Sequence, residues 1–371
     1  MRICVPTEVK NSEYRVALTP AGVHDLASAG HEVFVQRGAG LGSSMPDAEY
    51  EDAGATLLDD AAELWARAEL LLKVKEPVES EYGYLREDLT LFAYLHLAAD
   101  RPLTQRLVDA RVTAIAYETV QGASGGLPLL APMSEVAGRL APTVGAATLL
   151  RSAGGRGLLM SGVPGTRPAT VTVIGGGVAG ANAAVIAAGL GADVTIFDTN
   201  IARLRLLDDH FRSRVKTAAS NPLDLDAQVV ASDMVIGSVL IPGAKAPKLV
   251  TNEMVSRMRP GSVLVDIAVD QGGCFEDSRP TTHADPTFTV HDTVFYCVAN
   301  MPGAVPNTST SALTNATMPY IRRIAALGWR EALRTDAGLA AGLNAAGGAV
   351  VNEGVANAHD LPPTPVADAL R

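Results

Sequence analysis

The sequence predicts an α/β protein made of two doubly wound, mainly parallel sheets with helices on their faces. Three observations predict it. Hydrophobic residues make up 47% of the 371-residue chain and aromatics only 5%, a balance rich in Ala, Val, Leu and Gly that suits short aliphatic strands covered on both sides. Short β-rich runs alternate with helical patterns over roughly the first third of the chain, and a second alternation starts at Ala169; strands separated by helices imply parallel βαβ units. A glycine-rich turn joins the first strand and helix of that second alternation. The length allows two domains, each with a sizeable core.

In order, "RICVP" reads as a strand and "TPAGVHDLASAG" as a helix, with Thr19 as N-cap, Pro20 at the first helical position and Gly30 as the stop. "HEVFVQ" is the next strand, and "PDAEYEDAG" and "DDAAELWARA" are short helices. "LLLKVK", "LTLFAYLH" and "VTAIAYETV" are further strands, with the helix "ADRPLTQRLVDA", capped by Asp100, between the last two. After the break "QGASGGLPLLAPM", Ser134 and Glu135 open a long helix to about Arg151, bent by Pro142, which bridges the two halves. In the second half "TVTVIG", "DVTIFD", "DMVIGSV" and "SVLVDIAV" are strands, with helices over 178–190 and 200–213 and "TNEMVSRM". The segment from Thr287 to Pro302 closes that half, and "STSALTNATMPYIRRIAALGW" is a helix kinked at Pro319. The last forty residues are Ala/Gly-rich and are expected to form one or two helices plus a tail.

The formal net charge of -10 argues against nucleic acid and anionic membranes as partners, while leaving room for a local basic pocket that holds a small acid. Cys4, Cys274 and Cys297 are odd in number and lack metal-ligand spacing, which fits reduced, buried thiols. "MRICVPTEVK" has no signal-peptide h-region, and the apolar stretch from Ala181 to Phe197 is interrupted by Asp193 and glycines, too broken to span a bilayer.

The turn "VTVIGGGVAGANAA" places Gly175, Gly177 and Gly180 at GxGxxG spacing between a β-branched strand and an Ala-rich helix opened by Val178. Gly175 permits the tight turn, Gly177 lets backbone approach a pyrophosphate, and Gly180 lets helix and strand pack closely. The helix N-terminus offers N–H groups and positive dipole to that anion. Asp198 ends the following strand, where a carboxylate accepts hydrogen bonds from an adenosine ribose and repels a 2′-phosphate, so NAD is favoured over NADP. Arg203 falls one turn into the next helix, near the adenine, although it could also serve a 2′-phosphate. The bland alternative is a structural glycine turn without ligand.

"ELLLKVKEP" places Lys73 and Lys75 at the end of a core strand. Neither ammonium can stay unpaired within a covered sheet, so both emerge at the carboxyl end, where open α/β sheets bind ligands. Arg15, His96 and Glu118 also follow the carboxyl ends of strands. If those strands are neighbours, two cations, an imidazole and a carboxylate share one rim, which suits a small carboxylic acid whose reactive carbon exchanges protons. The bland readings pair Arg15 with Glu8 or Glu13 and Lys75 with Glu76 or Glu79, and make His96 a core histidine. In the second half, "SVLVDIAVDQGG" carries Asp266 within the strand, read as structural, and Asp270 past its end, on the side expected for a nicotinamide.

Together "PTEVKNSEYRVALTP", "LLLKVKEP", "YLHLAAD", "LLAPMSEVAGR", "GGRGLLMSGVPG", "VIGGGVAG", "PGAKAPKLV", "VDIAVDQGGCFE" and "NMPGAVPNTSTSALTNAT" resemble the alanine dehydrogenase and transhydrogenase α-subunit family from Met1 to about Trp329. The resemblance implies two Rossmann-like domains joined by long helices: residues 1–128 with about 306–371 for substrate, and 129–305 for NAD. It implies reversible NAD-dependent oxidative deamination of L-alanine to pyruvate and ammonia, in a cytoplasmic homohexamer. By the same resemblance Arg15 holds the substrate carboxylate, Lys75 binds its carboxylate or carbonyl oxygen, His96 is the general acid/base, and Asp270 assists it. Beyond the glycine turn, Val178, Asp198 and Arg203, the NAD contacts implied are Ser134, Ser220, Val239, Leu240, Ile267, Ala268, Val269, Asp270, Arg279 and Val298, Ala299, Asn300 and Met301. Asn307 and Ser311 depart from the family pattern, which commonly has Lys or Arg and an aromatic there. No metal site is expected around Arg322, Arg323 and Leu327. The competing reading is a transhydrogenase-like protein that binds NAD(H) without turning over an amino acid; the intact set Arg15, Lys75, His96 and Asp270 speaks against it.

Overall fold

The computed structural model describes residues 1–123, 125–239 and 246–371. These residues form two compact units, one from 1–133 with 305–371, the other from 134–304. In chain order the first stretch contains β1 (Arg2–Val5), α1 (Pro20–Ser28), β2 (Glu32–Gln36), α2 (Asp47–Asp52), β3 (Thr56–Leu58), α3 (Ala61–Arg67), β4 (Leu70–Leu72), β5 (Thr90–Ala93), α4 (Arg101–Asp109) and β6 (Thr113–Ala116). The middle stretch runs α5 (Ala131–Thr148), β7 (Thr170–Ile174), α6 (Val178–Gly189), β8 (Asp193–Asp198), α7 (Ile201–Phe211), β9 (Lys216–Ala219), α8 (Pro222–Ala231) and β10 (Met234–Gly237). It continues with α9 (Asn252–Arg257), β11 (Val263–Asp266), β12 (Thr287–Val290) and β13 (Thr293–Tyr296). The last stretch has α10 (Pro306–Leu327), α11 (Trp329–Arg334), α12 (Ala337–Ala340), β14 (Leu343–Ala346), β15 (Ala349–Val350), α13 (Glu353–Ala358) and α14 (Val366–Ala369).

Helix starts follow local chemistry. Thr19, Asp60, Asp100, Asn200, Asn221 and Thr251 each cap a helix by accepting a hydrogen bond from a first-turn backbone N–H. Pro142 and Pro319 lie inside continuous helices.

The first unit has one eight-stranded sheet in the order β15-β14-β6-β5-β4-β1-β2-β3. The six strands from β6 to β3 are parallel, and β14 and β15 add an antiparallel hairpin. That hairpin corrects the helices-plus-tail expectation for the last forty residues. Gly347 and Gly348 take φ of 58° and 89°, the left-handed pair that closes a two-residue hairpin. The flanking segment "LNAA" has no β-branched residue, so it gives no strand signal of its own. Two parallel strands also went unread: β3 and β9 are short and flank turns. Conversely, β4 ends at Leu72 and β6 at Ala116, each before the polar residues that follow.

The second unit has a seven-stranded sheet in the order β12-β13-β11-β10-β7-β8-β9, parallel except for β12. From β9 to β13 this is the 3-2-1-4-5-6 order of dinucleotide-binding sheets, with its switch point between β7 and β10. The central strands are buried almost throughout, while the edge strands β9 and β12 are not: Val171, Val173, Ile196, Ile236, Val263 and Val265 form one continuous aliphatic core with Ala183, Ala184 and Ala187 of α6. The expectation of two doubly wound α/β sheets agrees with this architecture.

Candidate functional site

In the first unit, β6, β5, β4 and β1 are consecutive neighbours and all parallel. Their carboxyl ends therefore open on one rim. Glu118 follows β6, His96 follows β5, Lys75 follows β4, and Arg15 lies in the loop after β1.

Charges on this rim are held by named partners. Lys73 is completely buried, with Nζ 3.2 Å from Glu8 and 2.9 Å from Glu81. Burial works against its charge, and the two carboxylates outweigh that, so the ammonium persists above its usual range. With two carboxylates facing one ammonium, Glu8 is pushed up by burial despite Lys73. Glu8 also accepts the backbone N–H of Val74 at 2.6 Å and of Lys75 at 3.4 Å, so it fixes the segment that presents Lys75. Lys75 itself is half-buried. Glu76 beside it pairs with Lys10. Burial alone would raise the Glu76 carboxyl; Lys10, Lys75 and His96 outweigh it and hold it below the usual range.

Arg15 is 2% exposed. Glu13 takes its Nε and Nη2 edge at 2.6 and 2.5 Å, and Nη1 lies 3.1 Å from the Met133 sulfur. The pairing with Glu13 keeps the guanidinium cationic against burial.

His96 is exposed, so it is no core histidine. It sits at φ 51°, ψ 33°, a left-handed conformation uncommon outside glycine. Glu118 holds it there, accepting the N–H of His96 at 2.6 Å and of Leu95 at 3.1 Å. The imidazole lies parallel to the Tyr94 ring, 9° off, with centroids 6.0 Å apart. Tyr94 is anchored through its hydroxyl, which donates to Leu129 O at 2.5 Å, and edge-on against Tyr117. Glu118 thus shapes the His96 turn through backbone N–H groups.

In the second unit the glycine turn fits a dinucleotide. Gly175 has φ 101°, a Cβ at Gly180 would come within 1.8 Å of the Gly175 carbonyl oxygen, and a Cβ at Gly177 would meet nothing within 4 Å. The first constraint makes the turn, the second seats α6 on β7, and the third is the open side a pyrophosphate needs. Gly177 caps α6 without a side chain, leaving the first N–H groups for an anion. Val178 is exposed beside it. Ser238 closes the turn from β10 by donating to Ile174 O and Gly175 O at 2.9 and 3.0 Å; it lies outside the glycine motif, and its signal in the sequence is a hydroxyl directly after a switch-point strand.

Asp198 ends β8 and accepts the N–H of Gly176 at 2.7 Å and of Asn200 at 2.8 Å. Its two oxygens keep further lone pairs for a ribose. Arg203 donates to Gly176 O at 2.5 Å and Gly177 O at 3.4 Å, so its guanidinium braces the turn. The Ser220 N–H donates to Asp198 O, and the Val239 side chain stands against Gly175. Leu240 lies outside the described residues.

A second cluster gathers past β11. Asp266 is fully buried and accepts Ala268 N at 3.0 Å, Cys274 N at 2.8 Å and Ser278 Oγ at 2.5 Å, which fits the structural role read for it. It shapes the turn through Ile267, Ala268 and Val269 that presents exposed Asp270. Asp270 accepts the N–H of Asn300 at 3.3 Å, which brings the two predicted segments 267–270 and 298–301 together. The side chains of Val298 and Met301 are buried, so only their backbone can face a nucleotide; Ala299 is half-buried. Exposed Arg279 lies over the Phe288 ring at 4.2 Å, and half-buried Ser134 lies near the start of α5.

Of the two departures, Asn307 donates to Ser43 O at 2.8 Å, pinning the start of α10 within the first unit, and the Ser311 hydroxyl donates to Asn307 O at 3.0 Å in its own helix. Arg322 and Arg323 pair with Asp25 and Asp336. Among the described residues no helix is long and apolar enough to cross a membrane.

The family "Alanine dehydrogenase/PNT, N-terminal domain" matches residues 4–137 and "Alanine dehydrogenase/PNT, C-terminal domain" matches residues 141–353. The chain is 60% identical to an alanine dehydrogenase of Mycolicibacterium smegmatis and 59% identical to one of Mycobacterium tuberculosis, covering 100% of each protein and of this chain. A Halomonas elongata alanine dehydrogenase is 56% identical over 97% of both. Among solved structures, an L-alanine dehydrogenase superposes with a TM-score of 0.94 at 49% identity, covering 97% of this chain and 99% of the other. A transhydrogenase from Sinorhizobium meliloti superposes with a TM-score of 0.81 at 28% identity, covering 95% and 99%.

Proposed function

The chain belongs to the alanine dehydrogenase/PNT family, and from that premise we propose that it is an oxidoreductase that converts L-alanine to pyruvate and ammonia, reversibly, with NAD as its cofactor. The observation that carries the reading is end-to-end identity above one half with alanine dehydrogenases. The transhydrogenase-like alternative has less support, since that likeness falls below one third identity. We further propose a cytoplasmic homohexamer.

When bound, NAD supplies the acceptor for the hydride that leaves the substrate Cα. The glycine turn and the N-terminus of α6 would hold its pyrophosphate, and Asp198 its ribose. The protein's own groups do the rest. Arg15, locked by Glu13, binds the substrate carboxylate and fixes its orientation. Lys75 stabilises negative charge that develops on the carbonyl oxygen. His96 takes the proton from the water that adds to the substrate carbon and returns one to the departing ammonia. Asp270 is assigned to orienting the ammonium or that water.

The test is absorbance at the NADH band. With alanine and NAD the absorbance rises; with pyruvate, ammonium and NADH it falls. A chain that binds NADH yet gives no change in either direction contradicts the activity. Cofactor choice is tested separately. Asp198→Ala weakens NAD binding by about 10-fold and admits measurable NADP turnover, the order expected from losing a hydrogen-bonded carboxylate. Unchanged preference between NAD and NADP would refute the ribose role.

A further inference from the structure

Two elements far apart in sequence meet at the turn after His96. His359 follows α13 and is 6% exposed. Its Nε2 lies 2.6 Å from Leu97 O and 3.4 Å from Thr104 Oγ1. The contact with a carbonyl oxygen requires Nε2 to carry the proton and donate. Thr104 Oγ1 donates to the same Leu97 oxygen at 3.0 Å and to Asp100 O at 2.8 Å. The carbonyl one residue past His96 therefore meets three donors: the Asp100 N–H of its own turn at 3.1 Å, and these two side chains from separate helical segments.

On the other side of His96, Glu118 holds the N–H groups of residues 95 and 96. The left-handed His96 is thus gripped before and after its own Cα. A non-glycine residue persists in that conformation only where its surroundings over-determine it. Neither grip touches the imidazole, so its face remains available to a reactant while its backbone is fixed.

We propose that His359 is a positioning residue for His96, a latch by which the segment around α13 sets the placement of the imidazole. The inference rests on the assignment of His96 as the acid/base group. It explains why a histidine, with a donor at the end of a rigid ring, is buried against a loop carbonyl 262 residues away. A misplacement of about 1 Å in a catalytic group costs up to about 100-fold in rate, so a small loop shift is enough to register in turnover.

The test compares His359→Gln with His359→Asn in the full-length enzyme. A glutamine amide reaches the Nε2 position and can donate to Leu97 O; an asparagine amide falls short. His359→Asn lowers kcat by about 10- to 100-fold, with the KM for NAD unchanged, and His359→Gln recovers most of the loss while melting at the same temperature as the Asn variant. Equal kcat in the two variants overturns the latch, as does a loss confined to thermal stability or to NAD affinity. His96→Ala is assayed alongside. If that variant keeps its turnover, the assignment of His96 fails; if it is inactive while His359→Asn keeps full kcat, the assignment stands and the latch alone is wrong.

Discussion

His96→Ala is expected to lower kcat for alanine oxidation by about 10²- to 10⁴-fold, the range a positioned acid/base group contributes. The structure explains why the loss should be confined to chemistry. The imidazole is exposed and its backbone is held by Glu118 rather than by its own ring. Removing the ring leaves those hydrogen bonds intact. The NAD-binding turn belongs to the other unit, so NAD affinity measured by calorimetry should stay within about twofold of the parent, below the tenfold that 1.4 kcal/mol represents. The stability change should not exceed about 1 kcal/mol, since the ring stacks loosely on Tyr94 and packs into no core. Steady-state turnover with both NAD and alanine saturating checks the first statement, and near-parental kcat would remove His96 from the reaction.

Lys73→Met should be the largest single loss of stability, about 3–5 kcal/mol. The substitution keeps length and apolar volume, so packing is not the cause. It strips the ammonium from between Glu8 and Glu81, both almost wholly buried. Two carboxylates are then left in a low-dielectric site without a counter-charge. Urea unfolding should show the lower midpoint, and adding Glu8→Gln to Lys73→Met should recover part of it, because the two sites share one interaction. A single variant as stable as the parent would mean that the buried cluster carries no net electrostatic demand. Activity should fall as well, since Glu8 also fixes the backbone at Val74 and Lys75.

The sequence made the repeating strand–helix rhythm, the glycine turn and the position of Arg15, Lys75, His96 and Glu118 past strand ends readable, because each depends on local spacing; that those strands are neighbours is set by the sheet order. The sequence also had Lys73 and Lys75 both emerging at the carboxyl end of the strand; Lys75 does, but Lys73 stays fully buried because two carboxylates meet it there. It could not name those carboxylates: Glu8 and Glu81 come from a loop and a short helical turn, and proximity there is set by tertiary folding. The left-handed backbone of His96 was unreadable for the same reason, since nothing in "YLHLA" demands it without Glu118. The hairpin of β14 and β15 was different. Its Gly347-Gly348 pair is a local signal, but Ala-rich flanks conceal a strand whose hydrogen bonds come from β6.

That pairing has a consequence for biosynthesis. β6 ends at Ala116, and its neighbour β14 starts at Leu343. At about 5–20 residues per second, a ribosome needs roughly ten to fifty seconds to supply it. Until then the emerging polypeptide presents an open hydrogen-bonding strand, whereas every residue of the 134–304 unit leaves the ribosome before Leu343 does.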